Sequence, residues 1–216
     1  MASANASANL KPMTVFTHSS GPNPKKVLLV LEALKIPYKT EDKEFGDGPN
    51  GVKNAEFLKL NPNGRVPALI DPNQDNIVVW ESGAILMYLE KFYDQGNTIG
   101  STDLKKQIEI NAWLFFQVSG LGPAQGQVNW FTHFHDSKNE DALKRYRNET
   151  DRCYQVLDKQ IGSQKYICGD KFTLADAAFY PWVATADFAK ISRPSNVQRW
   201  FEEVSKLDFV KKVYGQ

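Results

Sequence analysis

The segment from Asn61 to Ser82, NPNGRVPALIDPNQDNIVVWES, constrains this chain more than any other. It holds a turn-rich stretch, the Val66-Pro67 step, an apolar run, the turn DPNQDN, a second apolar run, and Glu81-Ser82 opening a helix. An X-Pro bond takes the cis form at a cost of only about 0.5–1 kcal/mol. A cis bond here turns the N–H and C=O of Val66 outward, where a small extended peptide can bind as an added strand. At the other end, Ser82 and the backbone N–H groups of a helix start make a carboxylate site, and Glu81 can take an ammonium. One short segment thus offers a peptide-backbone clamp beside a seat for an amino-acid head group.

The bulk properties exclude several other classes. With 216 residues the chain can bury a real core, as one large domain or two small ones. The net charge of +1 comes without a long basic or acidic run, so nothing points to nucleic acid or to an anionic membrane surface. No apolar stretch approaches the roughly 18 residues that a spanning helix needs. The opening MASANASANLKP has neither the apolar core of a signal peptide nor the arginines of a transit peptide, and reads as a disordered tail over residues 1–11. A chain of this kind is expected in the cytoplasm, with its two cysteines, Cys153 and Cys168, reduced. Their spacing fits neither CxxC redox chemistry nor a zinc site, and they read as small buried hydrophobes.

The periodicity changes near residue 95. Before it, Met13–Thr17 reads as a strand and Lys25–Leu34 as an amphipathic helix with Val27, Leu28, Leu31 and Leu34 on one face. Residues 37–41 follow as a strand, 42–54 as a loop, 55–60 as a short helix, and 68–70 and 77–80 as a hairpin. Residues 81–93 form a helix with Ile85, Tyr88, Leu89 and Phe92 inward. After a linker at 95–101, long helical patterns dominate: 103–120 with a break near Gly120-Leu121-Gly122-Pro123, then 139–161, 173–190 and 195–206. Thr173-Leu174-Ala175-Asp176 reads as a capping box with a short acidic partner, with Phe172 and Ala177 as its hydrophobic staple.

In order along the chain stand Thr17-His18-Ser19-Ser20-Gly21-Pro22-Asn23, Asn61 to Ala68 as NPNGRVPA, Glu81 to Ile85 as ESGAI, Trp113 to Pro123 as WLFFQVSGLGP, and Arg145 to Glu149 as RYRNE. Together they resemble the cytosolic glutathione transferases, in particular the group joining the fungal nitrogen-regulator-like (prion-type) and bacterial nu-class transferases. The resemblance covers nearly the whole chain after about Lys11. It implies a thioredoxin-like α/β domain over 12–94 and an all-α domain over 102–216, glutathione as co-substrate, no metal, and a homodimer.

Such an enzyme must hold the glutathione thiol as thiolate, the nucleophilic form. An ordinary cysteine thiol titrates near about 8.5, and lowering it by ~2 units asks for about 2.7 kcal/mol. One or two hydrogen bonds to charged sulfur and a helix N-terminus are of that size. The first strand-to-helix turn has no tyrosine or cysteine to supply them. Its donors are Thr17, Ser19, Ser20 and Asn23. The resemblance puts Asn23 first and Ser20 second. Asn23 also reads as a helix N-cap before Pro24, a role compatible with donation. His18 reads as structural or solvent-facing.

The resemblance further implies Glu81 and Ser82 as ligands of the glutathione head group, Val66 as its backbone partner, Arg65 for a ligand carboxylate, and Arg145 reaching glutathione from a partner subunit. It also marks a departure. Group members often carry His or Gln where this chain has Val52, so either Lys53 substitutes or the affinity for glutathione is lower. His133 and His135, with Asp136, make a poor metal set; their aromatic surroundings suggest the wall of a hydrophobic co-substrate site, while Phe115 reads as core. Two functions are open at this stage: glutathione conjugation to an apolar electrophile or glutathione-dependent disulfide reduction, or a non-catalytic regulatory protein that binds a protein partner.

Overall fold

The computed structural model describes residues 9–215. Most of the expected tail, residues 1–8, lies outside the described residues, and Lys11 is already tied to Asn73, exchanging backbone bonds with its side-chain amide at 2.8 and 2.9 Å. Two compact units emerge, residues 9–100 with 209–215, and Ser101–Asp208.

The first unit is a four-stranded sheet flanked by helices. β1 (Met13–Thr17) is followed by α1 (Pro22–Ala33), β2 (Tyr38–Asp42), α2 (Ala55–Leu60), β3 (Ala68–Asp71), β4 (Ile77–Trp80) and α3 (Ser82–Tyr93). The strand order is β2-β1-β3-β4, with β1 parallel to β2 and antiparallel to β3. The β1–α1–β2 crossover makes the parallel pair, as a helix-long connection must, and the DPNQDN turn makes the β3–β4 hairpin. Met13, Val15, Phe16, Ala68 and Leu69 from the sheet and Val27, Val30, Leu31, Ile85, Leu86 and Leu89 from the helices form its core.

Two details of the helical faces differ from the sequence pattern. Leu28 and Leu34 are only half-buried, because the packed face of α1 runs through Val27, Val30 and Leu31. Phe92 is 47% exposed rather than inward; it lies against the Tyr88 ring, whose hydroxyl bonds the buried Asp71 carboxylate at 2.6 Å. The segment expected as a linker is tied down locally: the Asp94 carboxylate accepts from the N–H groups of Thr98, Ile99 and Gly100 at 2.6–2.9 Å.

The second unit is helical. α4 (Leu104–Phe116) does not break at Gly120-Leu121-Gly122-Pro123. A π-helical turn over Gln117–Leu121 carries it into α5 (Gly122–Asn129), where Pro123 falls in the first turn, and a second π-turn follows at Trp130–Phe134. Phe115, expected in the core, is 56% exposed, and Phe116 instead packs on Trp113 and Phe179.

α6 (Glu140–Ile161), capped by the Asn139 side chain, α7 (Leu174–Val183) and α8 (Ser195–Ser205) complete the bundle. α7 is buried along its whole length and stops well short of residue 190. The expected capping box is present at Thr173 and Asp176. The helical domain read as 102–216 ends earlier: α9 (Asp208–Tyr214), absent from the sequence reading, groups from residue 209 with the first unit. Lys212 there pairs with Glu32 of α1 at 2.8 Å, and Lys25 sits over the Tyr214 ring. Both cysteines are buried with free thiols, and burial pushes Cys153 up to about 11 and Cys168 up to about 12, so neither offers a thiolate at neutral pH.

Candidate functional site

The register of the sheet assembles the site. Phe16 of β1 lies beside Ala68 of β3, and Ala68 lies beside Trp80 of β4. The residues just beyond these partners are Thr17 with its turn, the cis Val66-Pro67 step, and Glu81. Three segments distant in sequence therefore meet at one end of one sheet. Among the described residues neither the N–H nor the C=O of Val66 has a protein hydrogen-bond partner. The loop before it is fixed by the buried Asn61, which donates to the Arg65 carbonyl at 2.6 Å and accepts from Asn63 N–H at 3.0 Å.

The basic residues expected here have different settings. Arg65 is exposed. Lys53 is exposed and donates to the Asn63 carbonyl at 2.8 Å, which places its ammonium on the turn that leads into Val66. Gly64, at φ +59°, makes this possible: a Cβ there would meet the Lys53 side chain and the Val52 carbonyl at 2.8 Å. Val52 itself is packed in a core cluster with Phe16, Phe57 and Ala68, its N–H is spent on the Glu44 carbonyl at 3.0 Å, and its side chain has nothing to donate.

At the start of α3, Glu81 occupies the N-cap position at φ +71°, ψ +118°. A non-glycine residue in this region costs about 1–3 kcal/mol and marks a conformation that the surrounding structure imposes, most often at a functional site. Glu81 is exposed and its side chain caps nothing. Ser82 is the first helical residue and is 5% exposed.

The cap reading of Asn23 is also corrected. α1 begins at Pro22, with the extended Gly21 as its N-cap, and Asn23 lies one residue inside the helix. Pro22 suits the first helical position as well as Pro24 does, so the chain enters the helix two residues early. Gly21 brings no side chain to the helix start. Its N–H closes the turn onto the His18 carbonyl at 2.9 Å, and a Cβ on it would press on that same oxygen and on Pro24.

Of the alternative donors, Thr17 is 8% exposed and spends its hydroxyl on Asp42 at 3.2 Å, while Ser19 and Ser20 are exposed. His18, set aside in the sequence reading, has its Nδ1 2.9 Å from Ser20 Oγ. Arg145 lies exposed on α6 of the second unit, one turn before Glu149. In that unit His133 stacks on Phe188 with ring centroids 4.2 Å apart, and its Nε2 sits 2.7 Å from the Phe188 carbonyl. Trp130, Phe134 and Phe188 are each about half exposed around it.

Sequence reasoning missed Lys26. It lies on the buried face of α1, three residues after Asn23 and so on the same side of the helix. It is 1% exposed, and its ammonium donates to Ser82 Oγ at 3.5 Å. Burial pulls it down to about 7, partly opposed by the Glu81 carboxylate. A cation among Pro24, Val27 and Val30 was the available signal.

The burial cost is fully present below about pH 7 and fades toward the ordinary lysine value of 10.5, because over that window the unfolded chain binds the extra proton. Lys26→Met is therefore expected to raise stability at neutral pH by about 1–4 kcal/mol, with the gain shrinking as pH rises. Denaturant melts at several pH values check this; a destabilised variant contradicts it.

Comparison with known proteins bears directly on this arrangement. The family model described as glutathione S-transferase, N-terminal domain, matches residues 11–91, and the one described as glutathione S-transferase, C-terminal domain, matches residues 140–203. The chain belongs to the glutathione S-transferase family. Glutathione S-transferase 2 of Schizosaccharomyces pombe is 41% identical over 78% of this chain and 73% of its own length. The transcriptional regulator URE2 of Saccharomyces cerevisiae is 38% identical over 91% of this chain, which spans 64% of that longer protein. The solved structure of Ure2p in complex with glutathione superposes with a TM-score of 0.88 at 38% identity, covering 94% of this chain and 98% of that one. The thioredoxin-like sheet domain and the helical domain are thus those of this family, as the motifs implied. Among the described residues no group of three or more His, Cys, Asp or Glu could hold a metal ion, and no helix is long and apolar enough to cross a membrane.

Proposed function

We propose that this protein is a glutathione transferase that holds glutathione as thiolate for conjugation to apolar electrophiles or for reduction of disulfides. The observation that carries the reading is the convergence of the Asn23 turn, the Val66 backbone and Glu81-Ser82 at one end of the sheet. The Val66 N–H and C=O pair with the backbone of the cysteinyl residue. Ser82 and the first N–H groups of α3 take the γ-glutamyl carboxylate, and Glu81 takes its ammonium. Lys26 donates to Ser82 Oγ, which leaves the Ser82 hydroxyl proton for that carboxylate. Lys53 and Arg65 serve the glycyl carboxylate. Asn23 donates its amide N–H to the sulfur. Arg145 of the partner subunit adds a charge in a cytoplasmic homodimer.

Disulfide chemistry would run through glutathione itself, because both protein thiols are buried and pushed up out of the reactive range. The aromatic residues of the second unit supply apolar surface for a co-substrate.

Calorimetric titration with glutathione tests the site. Glu81→Gln and Ser82→Ala each remove a hydrogen bond to a charged group, worth about 1.5–3 kcal/mol, and are expected to weaken binding about tenfold or more. Native protein that binds no glutathione contradicts the reading. It would favour the second one, a non-catalytic regulatory protein binding a protein partner, which the likeness to a transcriptional regulator supports.

A further inference from the structure

We propose that His18, acting through the hydroxyl of Ser20, accepts the proton of the glutathione thiol. The inference rests on the glutathione site proposed above. Asn23 can steady a thiolate, but its amide never takes up a proton, so the proton that leaves sulfur needs another destination. Among protein side chains an unperturbed imidazole is the one that changes charge near neutral pH.

The geometry of the turn assigns the ring's state. Ser20 N–H points at His18 Nδ1 at 3.3 Å, and a backbone N–H can only donate. Nδ1 therefore carries the lone pair and Nε2 the proton. Ser20 Oγ stands 2.9 Å from the same nitrogen, so its hydroxyl also donates to Nδ1 and turns only lone pairs toward an incoming ligand. In this state Ser20 cannot donate to sulfur, but it can receive a proton from a thiol. The ring is held in place by stacking on Phe45, centroids 4.2 Å apart and planes 28° from parallel. Phe45 is 74% exposed in a Gly-rich loop and presents its ring to the imidazole. The nearby Thr17 hydroxyl is spent on Asp42.

The step balances without a further reactant. The S–H bond breaks and its electron pair stays on sulfur. The proton passes to Ser20 Oγ while the Oγ–H proton passes to His18 Nδ1. The products are a thiolate, a serine hydroxyl now aimed at it, and an imidazolium whose charge favours the thiolate. The longer Ser20 N–H contact to Nδ1 is released.

The test compares two quantities in weakly buffered, mildly alkaline solution, where a free imidazole is neutral: thiolate formed on saturation with glutathione, by ultraviolet absorbance, and protons released, by an indicator dye. The native protein is expected to release well under one proton per thiolate, because His18 keeps it. His18→Asn offers an Oδ1 that can accept the same two turn bonds but holds no proton, and is expected to release one proton per thiolate. Native protein that forms thiolate and releases one proton for each overturns the inference and leaves the glutathione site standing. Retention of the proton in His18→Asn overturns it in favour of another acceptor. If no thiolate forms, the site reading fails, and the inference with it.

Discussion

Asp176→Ala is expected to destabilise the helical unit by about 3–5 kcal/mol, the scale of breaking a buried charged network. Asp176 is fully buried and each carboxylate oxygen serves two donors. Oδ1 accepts from Ile167 N–H at 3.0 Å and from the Trp200 indole at 2.8 Å; Oδ2 accepts from Thr173 N–H at 2.9 Å and its hydroxyl at 3.1 Å. One side chain thus starts α7, fixes the chain before it and anchors α8. Burial pushes the carboxyl up to about 6 while these donors pull it down, so it is ionised at neutral pH. Alanine strands all four donors, each costing about 1–3 kcal/mol when left unpaired in the interior. Asp176→Asn keeps one oxygen for one pair of donors and turns an NH2 on the other, so it is expected to fall between. Chemical denaturation of the three proteins gives the ranking. A loss below about 1 kcal/mol in Asp176→Ala, the worth of one ordinary hydrogen bond, contradicts the network.

Asn23→Ala is expected to lower kcat/KM for glutathione about 10- to 150-fold, with glutathione binding changed little. A hydrogen bond to a charged group is worth about 1.5–3 kcal/mol, and each 1.36 kcal/mol is a factor of ten. The fold should tolerate the change, because Asn23 lies one residue inside α1 rather than at its cap, and alanine is at home there. Unchanged stability separates loss of a thiolate donor from loss of a cap. A variant with native kcat/KM contradicts the assignment to Asn23.

Much of the first unit was legible because its elements are short and bounded by strong punctuation. β1, α2 and β4 were read at their observed limits: β1 and β4 are short apolar runs, and Asn61-Pro62 ends α2. The Gly21-Pro22-Asn23-Pro24 run leaves two, as either proline can open a helix, and the structure takes the first. In the second unit the Gly-rich run before Pro123 looks like a break, yet a π-turn absorbs it, which no count of apolar positions can register. α9 is short and finds its partners in α1, far away in sequence.

The placement of the candidate site was legible where it follows from a strand end, as at Glu81 and Ser82 directly after β4. It was not legible where a side chain matters through what buries it or aims it. Lys26 looks like a surface lysine until its helix face is known. His18 looks idle until its ring is seen to face Ser20. Glu81's positive φ, the plainest mark of a built site, leaves no trace in an Ile-Val-Val-Trp-Glu-Ser string.

The most direct measurement is the pH titration of thiolate absorbance for glutathione bound to the native protein and to Asn23→Ala. A glutathione transferase with Asn23 as thiolate donor gives a bound thiol about 2 units below an ordinary cysteine thiol, and most of that shift disappears in the variant. Bound glutathione that titrates like the free thiol contradicts an activating enzyme. A full shift that survives in Asn23→Ala contradicts Asn23 as the donor.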